Sequence, residues 1–74
     1  MSTILTVPRY GQPNPRTLLR AIYDDFPGLP VSWEVDPLHK VIHANFSNAD
    51  PAHVDRVARF YLEPHHVTYS VASR

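Results

Sequence analysis

Polar and apolar residues alternate in four short stretches of the chain and recur at helical spacing in two others. Thr3-Ile4-Leu5-Thr6-Val7 is β-branched, with Thr3, Leu5 and Val7 on one side and Ile4 and Thr6 on the other, as a strand requires. Val31-Ser32-Trp33-Glu34-Val35 alternates without a fault. So does Lys40–Phe46, whose more apolar side carries Ile42, Ala44 and Phe46, and Val67–Val71 alternates again. Between these lie Leu18, Leu19, Ile22 and Phe26, and later Val54, Val57, Ala58 and Tyr61, each set forming one apolar helical stripe. Arg16, Arg20 and Asp24 fall opposite the first stripe, with Arg20 and Asp24 at i, i+4. Asp55, Arg59 and Glu63 are spaced for pairing outside the second.

The eight prolines sharpen these borders, because a residue with no N–H and a fixed φ is expelled from strand and helix interiors. Pro8 stops the first strand. Asn14-Pro15 and Asp50-Pro51 each read as an N-cap followed by proline at the first helical position. Phe26-Pro27 ends the first helix near Asp25, Gly28 turns the chain, and Pro64 closes the second helix. The loop from Pro8 to Asn14 is irregular. Asp36-Pro37-Leu38-His39 has the chemistry of a type I turn, which would set Val35 opposite Lys40, Trp33 opposite Ile42 and Val31 opposite Ala44.

The resulting order, βαββαβ over residues 1–74, predicts one α+β domain of the ferredoxin-like, two-layer kind. Four antiparallel strands in spatial order 4-1-3-2 would carry both helices on one face. The expected core is Leu5, Val7, Leu18, Ile22, Phe26, Val31, Trp33, Val35, Ile42, Ala44, Phe46, Val54, Val57, Ala58, Tyr61, Val67, Tyr69 and Val71. The opposite, open sheet face would show Ile4, Thr6, Ser32, Glu34, Val41, His43, Asn45, His66, Thr68 and Ser70. This fold hosts many unrelated activities, so function has to be sought in the residues.

Composition narrows the classes. Seven basic residues balance seven acidic ones, so the chain lacks the electrostatic footprint of a protein that mainly grips phosphates. There is no cysteine, which removes disulfides and thiolate metal sites. No apolar run reaches membrane-spanning length and no leader precedes the first strand, so a cytoplasmic location is expected. Arginine far outnumbers lysine, Lys40 standing alone, as in GC-rich bacterial or viral genomes.

The candidate chemistries are thin. Five histidines, His39, His43, His53, His65 and His66, are scattered over different elements, where a metal needs three or four converging ligands; no metal and no cofactor is expected. The serines lack the tight-turn context of a nucleophile. Glu34 and His43 fall side by side on the open face, an arrangement that is commonly a minor cross-strand pair. The loop Pro8-Arg9-Tyr10-Gly11-Gln12-Pro13 leads into a helix N-terminus and, with Arg9 and Asn45, is similar in layout to acylphosphatases. That resemblance implies a small hydrolase using Arg9 and Asn45 on a phosphate, although the family's glycine- and valine-rich loop ending in Phe-Arg is absent. A nucleic-acid-binding reading needs aromatics on the two central strands, and the matching positions here hold Ile4, Thr6, Val41, His43 and Asn45.

Interaction surface is what remains. The open face is half apolar or small, and Tyr10, Tyr23 and Phe60 are expected at exposed positions of the kind enriched in protein contacts. The sequence therefore points to a non-enzymatic protein-binding module of accessory, adaptor or inhibitor type, with a composition that fits a phage-encoded protein. Its expected protein interface is Ile4, Thr6, Val41, His43, Arg9, Tyr10 and Phe60, for a protein partner that the sequence does not name, and homodimerisation is expected by face-to-face packing of the open sheet or by pairing of its edges.

Overall fold

The computed structural model describes residues 2–11, 14–26 and 31–73. Expectations that fall on Pro13, Pro27, Gly28 and Pro30, and on the Val31 side chain, lie outside the described residues. The elements run β1 (Ser2–Pro8), α1 (Pro15–Asp24), β2 (Val31–Asp36), β3 (Val41–Ser47), α2 (Pro51–Leu62), a 3-10 turn (Glu63–His65) and β4 (Ser70–Ser73). The strands make one antiparallel sheet in the order β2-β3-β1-β4, so with the two helices the chain is α+β.

Both helices start as the capping chemistry demands. The Asn14 carboxamide accepts from the Arg16 N–H at 3.0 Å, and the Asp50 carboxylate from the Ala52 N–H at 3.0 Å, each followed by proline where no donor is needed. The helices cover the sheet side that carries Leu5, Val7, Ile42, Ala44 and Phe46, and these residues are buried against Leu18, Leu19, Ile22, Phe26, Val54, Ala58 and Leu62. Tyr23 and Phe26 meet Phe46 at ring-centroid distances of 5.1 Å each. Thr3, the buried polar residue of this layer, donates its hydroxyl to the Ala49 carbonyl at 2.8 Å and so fixes the link from β3 into α2.

The structure corrects several expectations. The β2–β3 register is shifted by two residues: Val35 faces Ile42, Trp33 faces Ala44 and Val31 faces Phe46. The loop is Pro37–Lys40, because the Asp36 carboxylate accepts from the Leu38 and His39 N–H groups and Lys40 turns the chain at φ 57. A shift of two preserves which face each residue occupies, so the layer assignment survives the error. Trp33 is not in the core. It lies 42% exposed on an edge strand, where Tyr23 of α1 stacks on it at 5.4 Å and 26°. Tyr23, expected to be exposed, is correspondingly half-buried. β4 begins at Ser70 rather than Val67, because the chain leaves the 3-10 turn through a Schellman motif: His66 stands at φ 58, its N–H bonds the Glu63 carbonyl, and the Val67 N–H reaches the Leu62 carbonyl. His66 therefore closes a helix end instead of lying on the sheet. Val35, Val57, Tyr61, Val67, Tyr69 and Val71 line the core only in part, while Leu19, Ala49 and Leu62 are buried within it.

Candidate functional site on the open sheet face

Beyond the Ser2–Ser47 pair, the strand registers arrange the uncovered face in three cross-strand rows. Ser32, Asn45, Ile4 and Ala72 form the first, Glu34, His43, Thr6 and Ser70 the second, and Asp36, Val41 and Pro8 the third. Ile4, Thr6, Val41, His43 and Asn45 on the two central strands are each half-buried by their neighbours. The four open-face residues of the expected interface, Ile4, Thr6, Val41 and His43, are thus brought together.

His43 has a polar neighbour at each ring nitrogen, one of them at hydrogen-bond distance. Its Nδ1 lies 3.0 Å from the Thr6 hydroxyl and its Nε2 3.7 Å from the Asp36 carboxylate. Asp36 also meets His39 Nδ1 at 2.8 Å. These contacts, with the His39 side chain foremost, its backbone N–H next and His43 last, hold the Asp36 carboxyl below the usual range. The carboxylate expected beside His43 was Glu34; Glu34 is its register partner, but Asp36 makes the contact. The two-residue shift of the hairpin explains this, since it draws Asp36 out of the turn and onto the strand beside Val41.

Hydroxyl, imidazole and carboxylate in this sequence invite a comparison with nucleophilic catalysis, but the surroundings serve it poorly. The His43–Asp36 separation exceeds a hydrogen bond, and Thr6 sits mid-strand with ladders on both sides, so its neighbouring backbone donors are engaged in the sheet rather than free to hold an oxyanion. The set orients His43. Among the described residues, no group of His, Cys, Asp and Glu is placed to hold a metal ion.

Beside His43 the face dips into a depression of about 240 Å³ lined by Ile4, Ser32, Glu34, His43 and Asn45. The Asn45 Oδ1 atom is buried and has no hydrogen-bond partner among the described residues. A buried acceptor left in this condition costs about 1–3 kcal/mol. The sequence shows Asn45 as an open-face residue but offers no signal that its carbonyl would be orphaned, because that depends on the heights of the neighbouring side chains.

The remaining named residues stand elsewhere. Arg9 continues the β1–β3 ladder, its N–H bonding the Lys40 carbonyl at 2.9 Å, and its guanidinium lies 5.3 Å from the centre of the exposed Tyr10 ring. Asn45 pairs with Ile4, five residues back along β1, so Arg9 and Asn45 are separated by roughly 16 Å at strand rise. The layout shared with acylphosphatases does not bring these two residues to one phosphate. Phe60 is 74% exposed on α2, on the helix side of the sheet, packed edge-on against Tyr61 beside Arg59, Glu63, Pro64 and His66.

No protein-family model matches the chain, and neither the curated proteins nor the solved structures include one similar to it. Among the described residues, no helix is long and apolar enough to cross a membrane.

Proposed function

We propose that the chain is a small protein-binding module of ferredoxin-like topology that self-associates through its open sheet face and serves as an accessory, adaptor or inhibitor protein. The ferredoxin-like reading is supported by the βαββαβ element order together with the sheet order β2-β3-β1-β4. The binding reading is carried by one observation: the centre of the uncovered face, on β1 and β3, holds no Asp, Glu, Lys or Arg and is half-buried, and it contains the partnerless Asn45 carbonyl. A second copy laid over this face would bury Ile4 and Val41 and could supply a donor to Asn45. With Cα extents of 28 × 26 × 18 Å, a broad face offers on the order of 700 Å² per partner, close to the roughly 800 Å² of a standard interface.

The test is a dilution series followed by backbone amide NMR. The signals of Ile4, Thr6, Val41, His43 and Asn45 should shift with concentration while those around Phe60 stay fixed. Shifts confined to α2, or none at any concentration, would remove this face from consideration.

A further inference from the structure

A second surface lies outside the open face, along the exposed side of α1. One depression of about 240 Å³ is lined by Arg9, Tyr10, Asn14 and Arg16, and another of about 310 Å³ by Arg16, Thr17, Arg20 and Trp33. They share Arg16, so the two form one continuous strip. Each end carries an exposed aromatic ring, Tyr10 at 66% and Trp33 at 42%.

The arginines of this strip are not neutralised by carboxylates, Arg9 lying instead over the Tyr10 ring. Arg59 on α2 engages both Asp55 and Glu63, whereas among the described residues Arg9, Arg16 and Arg20 make no salt bridge, the anticipated Arg20–Asp24 pair included. The helix N-terminus between them contributes little by itself: Pro15 has no N–H, the Arg16 N–H is taken by the Asn14 side chain, and the Thr17 N–H by the Asn14 carbonyl. An anion here would be held by guanidinium groups. Trp33 is backed on one side by Tyr23, which leaves its remaining exposed surface as a supported platform next to Arg16 and Arg20.

We propose that this strip binds single-stranded nucleic acid, with backbone phosphates on Arg9, Arg16 and Arg20 and unpaired bases stacked on Trp33 and Tyr10. A row of cations with a flat ring at each end matches a chain that carries both phosphates and bases. An acidic peptide would use the cations and leave the rings idle. The net charge of zero is a sum over the whole chain, whereas the lining of the two depressions carries Arg9, Arg16 and Arg20 and no carboxylate, and the local surface decides.

The test uses the single tryptophan as its own probe. Titration of the intact chain with a dT12 or U12 oligonucleotide should quench Trp33 fluorescence, and log K should fall against log salt with a slope of about −2, as three phosphate contacts on a single strand imply. Arg16→Glu combined with Arg20→Glu, both at exposed helix positions, should weaken binding by tenfold or more with an unchanged circular dichroism spectrum. Because these variants lack the fluorophore, they are followed by the anisotropy of a fluorescein-labelled oligonucleotide: Trp33→Phe should keep much of the affinity, and Trp33→Ala should weaken it tenfold or more with the salt slope intact. Equal binding of polyglutamate or of a blunt duplex, absence of quenching, or undiminished affinity in the double arginine variant would each overturn the proposal. All of these outcomes leave the open-face reading untouched, because Val41 and Asn45 take no part.

Discussion

At the scale of single residues, Phe46 and Trp33 carry similar bulk into very different surroundings. Phe46 is fully buried and touched by both Tyr23 and Phe26, so Phe46→Ala should cost about 3–5 kcal/mol in chemical denaturation. Trp33, 42% exposed, should cost only about 1–2 kcal/mol when truncated to Ala. Equal losses at the two positions would contradict their placement. Tyr23 connects them, and its partial burial pushes the phenol pKa from 10.0 up to about 12. The folded value lies above the unfolded one, so the unfolded chain releases this proton first, and stability should fall as pH rises from about 10 to about 12. Denaturation midpoints followed through that range should decline in the native chain and decline less in Tyr23→Phe. An identical decline in both would assign the loss to other groups. That Trp33 belongs to the helix side was legible from its alternation with Ser32 and Glu34. Its exposure was not, because alternation assigns a face and says nothing about how far a ten-residue helix reaches over an edge strand.

At the scale of elements, local chemistry was legible wherever a residue's own side chain or ring enforces the geometry. Asn14 and Asp50 cap the helices they precede, and prolines stand where donors are unnecessary. The boundaries that escaped detection turn on non-glycine residues in the left-handed region, Lys40 and His66, for which the sequence carries no glycine as a signal. Lys40 lengthens the hairpin loop and moves the register by two, and His66 delays β4 until Ser70. A left-handed non-glycine residue costs about 1–2 kcal/mol, and glycine gives back part of that gain through its greater freedom in the unfolded chain. His66→Gly should therefore raise stability by about 0.5–1 kcal/mol in urea denaturation. A loss would mean that the His66 side chain contributes more than the backbone strain it imposes.

At the scale of the whole molecule, the helices protect one side of the sheet and the other is left with a centre that is neither charged nor fully exposed. The face residues were legible as a set, since Ile4, Thr6, Val41 and His43 follow from alternation alone. The Thr6–His43–Asp36 contacts and the orphaned Asn45 carbonyl were not, because they depend on register and on side-chain heights that no local pattern encodes. Phe60 and the Arg9–Tyr10 pair, grouped with that face in the sequence reading, sit on other surfaces. The proposed self-association through the open face therefore rests on the central strands. Sedimentation equilibrium of the native chain and of Val41→Glu, from low to high micromolar concentration, tests it most directly. The native chain should approach twice the monomer mass, and Val41→Glu should remain monomeric with an unchanged circular dichroism spectrum, because its carboxylate would be buried only between copies. A native chain that stays monomeric at high micromolar concentration, or a Val41→Glu variant that dimerises as well as the native chain, would contradict the account.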